Sequence, residues 1–394
     1  GHRPGARGGS FMTRLTAVSG APIFDGECWH DDSAILIGDG RILAIVAKHA
    51  VPADAAIERV EGGILVPGFL DAQVNGGGGV ALNDAPTTET MDRIAAAHRP
   101  FGTCRLLPTL VTAQPESTAA ALAAVHGTGS AIVGLHLEGP HLDPVRQGVH
   151  DGGLMRRLGD ADIDRLLAAD VGRLLLTIAP GQVEPTQVRR LVEGGVIVSL
   201  GHSDATCEQA MAMIDAGATG ITHLFNAMSP LQNRAAGLVG AALEAGSVWC
   251  GVIADGIHVP PAVLRIALRA ERPPGRLFLV TDAMPSVGSS ATTFTFGGRT
   301  VHRQGNRLTW TGESGEPVLA GAHLDMASAV RLCVDELEVP LEEALRMAAL
   351  YPATFLKLDD RHGRIASGYV ADVVHLDETL QVRRTWVGGV SDAT

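Results

Sequence analysis

Eight short, largely apolar runs punctuate the middle of this chain. They are Ile64–Val74, Cys104–Val111, Ile132–Leu137, Leu174–Ala179, Ile197–Leu200, Gly220–Phe225, Trp249–Ala254 and Leu277–Thr281. Continuous apolar runs, unlike alternating ones, belong to strands covered on both faces, as in parallel sheets. Between them lie segments with apolar residues three and four apart. Among these, Thr88–His98, Asp160–Ala169, Thr206–Ala216 and Pro261–Arg269 predict helices. Ala322–Glu336 and Leu341–Ala349 predict a last helical pair. Strand and helix alternating in this way predict an α/β fold, a closed (β/α)8 TIM-like barrel, with an open doubly wound sheet as the alternative. That alternative lacks its fingerprint. Gly76–Ala81 fits only a loose G-x-G-x-x-A, and Leu82-Asn83-Asp84-Ala85-Pro86 follows it where a helix should start.

The two ends have a different texture. Ala34–Ile37 and Arg41–Val46 flank Gly38-Asp39-Gly40, a hairpin signal. Ala371–Leu376 and Val382–Val387, with Gly388-Gly389 behind, repeat that pattern near the C-terminus. Neither end is long enough to build a core alone, so the two are expected to meet in one small β-sandwich. The expected division is 12–66 plus 357–394 for the sandwich and 67–356 for the barrel. Residues 1–11, Gly/Arg-rich and without an apolar stretch, read as an added remnant, with Met12 as the natural start.

Composition narrows the partners. Of 394 residues, 31 are Lys or Arg and 43 Asp or Glu, a net charge of −12, which disfavours a nucleic-acid or anionic-membrane surface. There is no apolar run of about 18 residues, so no transmembrane helix is expected. The five cysteines are scattered and form no C-x-x-C, which reads as reduced thiols in a cytoplasmic protein.

Polar residues cluster at the C-terminal ends of the apolar runs, the face on which barrels build their sites. The third run ends in His136-Leu137-Glu138-Gly139-Pro140-His141, the fifth in Gly201-His202-Ser203-Asp204, and the sixth carries Thr222-His223-Leu224-Phe225-Asn226. The seventh leads to Asp255-Gly256-Ile257-His258 and the eighth to Thr281-Asp282-Ala283. Burying Glu138, His202, His223 and Asp282 together without partners would cost several kcal/mol each. A bound cation removes much of that cost, and one carboxylate with two imidazoles matches a catalytic divalent-metal site. Such a metal acidifies its water, and Asp282 beside it can carry the proton. The reaction class is metal-assisted hydrolysis; the alternative is an internal ion-pair network without metal.

In the first run Gln73 and Asn75 stand where a second metal would want imidazoles; amides suit a water or a supporting hydrogen bond instead. The only lysines are Lys48 and Lys357, outside the barrel runs, so no carboxylated lysine can bridge two metals. One metal is expected. His150 could polarise a carbonyl or be an exposed loop histidine. His258 could contact sugar hydroxyls or the scissile group. Asn226, Ala227 and Arg234 form a plausible phosphate or oxyanion site, with Arg234 otherwise a surface residue. Gly76–Gly79 could cradle a phosphate or simply turn. His30, His98, His126 and His302 read as surface residues.

Together these motifs resemble the N-acetylglucosamine-6-phosphate deacetylase family of the amidohydrolase superfamily. Pro67-Gly68-Phe69-Leu70-Asp71 resembles the superfamily, and the His136, Gly201, Thr222 and Leu279-Val280-Thr281-Asp282-Ala283 motifs with Leu319-Ala320-Gly321 resemble the deacetylases. The resemblance implies Glu138, His202 and His223 as metal ligands, Asp282 as base and then acid, and His150 near the acetyl group. It implies Asn226 and Ala227 on the phosphate, joined by Arg234 from the other subunit of a homodimer, and His258 and Leu319 against the substrate. The metal it implies is one divalent ion per subunit, zinc before iron, cobalt or manganese. The sequence departs from the family pattern at Ala235-Ala236, where a Pro often follows the Arg, and at Ala322-His323, where a Ser usually follows Leu-Ala-Gly. The expected reaction converts N-acetylglucosamine 6-phosphate to glucosamine 6-phosphate and acetate. The alternatives are the galactosamine 6-phosphate epimer, another N-acyl or cyclic amide, and a silent sugar-phosphate-binding protein.

Overall fold

A computed structural model describes residues 15–312 and 315–391 of the chain; the expected remnant and Met12 lie outside them. Eight parallel strands form the central sheet: β1 (Phe69–Val74), β2 (Thr103–Val111), β3 (Gly134–Glu138), β4 (Arg173–Ile178), β5 (Ile197–Leu200), β6 (Gly220–Ile221), β7 (Trp249–Val252) and β8 (Leu277–Leu279). They follow one another in sheet order. The ring closes just past β8, where Ala283 pairs in parallel with Val74. There Asp282 N–H donates to the Gln73 carbonyl at 3.0 Å and Asn75 N–H to that of Ala283 at 2.9 Å. The barrel is therefore the architecture, and several of its helices seal it with a narrow apolar stripe. Pro185–Glu193, for example, buries Val188 and Leu191, and Pro261–Ala270 buries Leu264 and Ala267. One cluster of buried side chains, with Leu70, Leu137, Leu176 and Val198 among them, runs through barrel and helices alike.

The first apolar run divides at Gly68. Ile64–Pro67 joins a six-stranded sheet in which Val373–Leu376 lies between it and Val382–Val387. A Cβ at Gly68 would meet Cys104 Sγ at 2.5 Å, so glycine lets the chain cross from that sheet into the barrel. Facing this sheet is a four-stranded one that includes Ser33–Gly38 and Arg41–Ala47, joined through Asp39 (φ 50°) and Gly40 (φ 73°). Positive φ at both central residues is the hairpin geometry that Asp-Gly signalled. Val18, Ile35, Leu65, Val373 and Trp386 fill the space between the sheets, so the chain ends do form one sandwich.

Three features depart from the sequence reading. The sixth run pairs only over Gly220–Ile221, because His223 (φ 32°) and Phe225 (φ 79°) turn away from the ladder. A four-stranded antiparallel sheet over Thr293–Phe296, Arg299–Gln304, Arg307–Thr311 and Pro317–Leu319 follows β8, where no element was expected. His98 is buried, with its Nε2 2.9 Å from the Gly76 carbonyl, and is not a surface residue. Gly76–Gly77 pairs with Val80–Ala81, so the glycine run is a hairpin turn. Among the described residues no disulfide joins the cysteines, and no helix is long and apolar enough to cross a membrane.

Candidate active site

The barrel mouth collects the polar residues because they stand at, or two to three residues past, the C-terminal ends of the strands. Glu138 is the last residue of β3. His202 and His223 each lie two residues past their strands, and Asp282 three past β8. All three adopt left-handed backbone, with φ of 44°, 32° and 51°. Such a conformation costs a non-glycine residue roughly 1 kcal/mol or more, so the surrounding contacts must enforce it.

Glu138, His202 and His223 converge. His223 Nε2 lies 3.0 Å from Glu138 Oε1, His202 Nε2 lies 3.2 Å from the same oxygen, and the two Nε2 atoms are 3.1 Å apart. Ligands about 2.0–2.1 Å from a tetrahedral zinc stand about 3.3 Å from one another, so this triangle fits such a cation. The donor chemistry fits as well. His202 Nδ1 lies 2.8 Å from the Arg146 carbonyl, which can only accept. That bond fixes the proton on Nδ1 and leaves the Nε2 lone pair facing the triangle. All three side chains are buried. Burial pushes the Glu138 carboxyl up, but the interactions with the facing His202 and His223 rings outweigh it and hold the group well below its ordinary range. The same carboxylate raises His223 against its burial.

Asp282 faces this cluster. Its Oδ1 accepts from Asn75 Nδ2 at 2.6 Å and from Gln73 Nε2 at 3.2 Å, and the same Gln73 amide reaches Glu138 Oε1 at 3.2 Å. Burial, reinforced by the Glu138 charge, pushes the Asp282 carboxyl up to about 6. Behind it Asp71 accepts from Thr281 Oγ1 at 2.5 Å, and burial pushes this carboxyl up to about 7.

A cavity of about 360 Å³ opens over these groups. Its walls bring together Glu138, His202, His223, Asp282, His150, Asn75, Asn226, Ala227, His258 and Leu319. Gln73 stands behind the wall, and Arg234 lines a separate cavity of about 630 Å³ beside Asp204 and Arg146. His150 is fully buried rather than an exposed loop residue. Its Nδ1 lies 2.8 Å from Thr112 Oγ1, and its ring meets that of His202 edge-on at 4.3 Å. Burial, then the neighbouring His202, holds it well below the usual histidine range, so it is neutral. His258 Nδ1 lies 2.6 Å from Asp255 Oδ2, and Asp255 Oδ1 accepts from the backbone N–H of both Ile257 and His258 at 2.8 Å. Sequence reasoning missed these partners. The Asp255–His258 spacing, an Asp closing a turn on a residue three further on, was a usable signal. Thr112 carried none.

The fold and this cluster define an amidohydrolase-type barrel, and the chain belongs to the amidohydrolase family, whose model matches residues 64–391. Relatives that match over most of the chain include deacetylases of amino-sugar phosphates. An N-acetylgalactosamine-6-phosphate deacetylase of Shewanella sp. (strain ANA-3) is 42% identical over 381 residues, 95% of each chain. The crystal structure of N-acetylglucosamine-6-phosphate deacetylase from Pasteurella multocida superposes with a TM-score of 0.91 at 32% identity, covering 96% of this chain and 100% of that one. A mutant of the Mycobacterium smegmatis N-acetyl-D-glucosamine-6-phosphate deacetylase, in complex with N-acetyl-D-glucosamine-6-phosphate, gives 0.87 at 33% identity, covering 97% and 100%.

Proposed function

We propose that the chain removes the acetyl group from an N-acetylhexosamine 6-phosphate, with N-acetylglucosamine 6-phosphate as substrate, releasing acetate and the free amine. The observation that carries this reading is the Glu138–His202–His223 triangle facing Asp282 in one cavity. A divalent cation held by Glu138 Oε1 and the two Nε2 atoms, zinc before iron, cobalt or manganese, would supply Lewis acidity and an acidified water. Asp282 takes a proton from the attacking water and returns it to the departing nitrogen. The amides of Gln73 and Asn75 both fall on Oδ1, which points the carboxylate by one oxygen and leaves Oδ2 for the proton. Neutral His150 donates from Nε2 to the acetyl oxygen when Thr112 donates to its Nδ1.

Asn226 and Ala227 hold the phosphate end, and His258, oriented by Asp255, contacts the sugar beside Leu319. Arg234 serves the site of a second copy in a homodimer; its place outside its own catalytic cavity supports this. Residues 67–356 carry the chemistry, while 12–66 with 357–394 brace it. A cytoplasmic setting agrees with the lack of disulfides and membrane-spanning helices among the described residues.

The galactosamine epimer is the second reading, favoured by the 42% identity to the Shewanella deacetylase of that sugar. Acetate release from both 6-phosphates and from unphosphorylated N-acetylglucosamine, by chelator-stripped protein with and without zinc, tests both. Zinc-restored turnover that requires the phosphate is expected, and the ratio of the two kcat/KM values assigns the epimer. Bound metal with no acetate from any sugar would overturn the deacetylase reading.

A further inference from the structure

The unforeseen sheet after β8 lines the catalytic cavity with Leu319 and reaches the loop that carries His150 through Arg299. Arg299, at the start of its second strand, donates from Nη1 to the Val149 carbonyl at 3.0 Å. Its guanidinium carbon lies 3.9 Å over the centre of the Trp310 ring, which comes from the adjacent strand. The Trp310 face limits where the guanidinium can go, so the fork is aimed before it reaches the loop. Phe296, Val301 and Leu308 of the same sheet cluster with Val111 and Met284 of the barrel mouth, and Val149 packs against that cluster.

The bonded carbonyl belongs to the peptide that enters His150. On the other side of that peptide, His150 N–H donates to the Gln147 carbonyl at 3.0 Å. Both polar atoms of the Val149–His150 peptide are thus anchored, one within the loop and one to the sheet. Fixing that peptide plane fixes the direction in which the His150 side chain leaves the backbone. Thr112 then sets the ring.

We infer that Arg299, stacked on Trp310, is a positioning residue that locks His150 into its reactive orientation, and that the inserted sheet serves as its mount. The inference rests on the deacetylase reading for His150. It does not require Arg299 to touch the substrate. A misplacement of about 1 Å at a group acting on the scissile bond can cost about 100-fold in rate. The substrate's phosphate end is held elsewhere, by Asn226 and Ala227, so the loss belongs in kcat rather than KM.

The test compares the zinc-loaded parent with Arg299→Ala, Arg299→Lys, His150→Asn and the Arg299→Ala/His150→Asn double variant. Arg307→Ala removes an exposed cation from the same sheet as a control. Arg299→Ala is expected to lower kcat by about 10–100-fold with KM within about threefold. Arg299→Lys, which keeps one donor for the Val149 carbonyl, recovers part of that loss, and Arg307→Ala behaves as the parent. In the His150→Asn background, Arg299→Ala costs less than about threefold more, because no imidazole remains to be displaced. Hydrogen–deuterium exchange over residues 145–150 rises in Arg299→Ala and in Arg299→Ala/His150→Asn alike. An equal kcat loss in both backgrounds, or unchanged exchange over 145–150, would overturn the inference. If the parent releases no acetate while exchange still rises in Arg299→Ala, the anchoring of the loop stands and the deacetylase reading falls.

Discussion

Asp282 illustrates how much one carboxylate is asked to do. It sits in left-handed backbone, shares Gln73 with Glu138, and is pushed up to about 6 by burial and by the Glu138 charge. A group so placed suits proton transfer near neutrality, since its two protonation states differ little in free energy there. Asp282→Asn keeps the shape and the amide contacts but cannot accept the proton. It is expected to retain one metal per chain, read by elemental analysis, while kcat falls by about 10²–10⁴-fold. Glu138→Gln should do the reverse and lose the metal, because a neutral amide replaces the anionic member of the triangle. Parental turnover in Asp282→Asn would remove it from the role of base.

At the scale of elements, the interface between sandwich and barrel is held by a buried ion pair. Arg105 on β2 donates from Nε and Nη2 to the two oxygens of Asp372, at 2.7 and 2.6 Å. His362 Nδ1 and the Gly388 N–H complete the Asp372 shell. Burial pushes the Asp372 carboxyl up, but the bonds from His362 and Arg105 win and hold it at about 2. A folded value below the unfolded one of about 3.9 means that the pair stabilises fully above about pH 4 and loses its contribution as pH falls toward 2. Asp372→Ala leaves Arg105 buried without a counter-charge and should cost about 3–5 kcal/mol in urea unfolding at pH 7. The gap to the parent should then narrow between pH 4 and pH 2.

What the sequence revealed at this scale follows its physics. The barrel strands announce themselves because burial on both faces leaves largely apolar runs without strict alternation. The sheet carrying Arg299 does not, because strands such as Arg299–Gln304 bury one side chain, Val301, among polar neighbours. His98 looked exposed because helix-end polarity says nothing about a carbonyl, that of Gly76, waiting across a turn. At the site, the trio that could hold a metal was readable from residue type at strand ends, whereas the contacts of Thr112 and Arg299 join segments distant in sequence. Position along the chain holds no trace of such contacts.

At the scale of the whole molecule, Arg234 and the Glu138–His202–His223 cluster of one chain line different cavities. If each site borrows Arg234 from its partner, two inactive variants can repair one another. Arg234→Ala and Asp282→Asn proteins, each with little turnover of the phosphorylated sugar, should regain activity when mixed and allowed to exchange subunits. One site of each mixed dimer then holds both an intact Asp282 and an intact Arg234. Recovery measured by acetate release supports the shared site, and its absence despite proven exchange rejects it.

The sandwich sheet also sets a clock on synthesis. Ile64–Pro67 pairs on one side with Val373–Leu376, a strand that leaves the ribosome long afterwards. At about 5–20 residues per second, the roughly 300 residues between them take on the order of tens of seconds. Through that interval the nascent sheet carries an open apolar edge, the kind of edge that recruits strands from other chains. A nascent chain that stalls anywhere in the barrel is therefore a sticky one, and the emergence of Val373–Leu376 is the step that covers the edge.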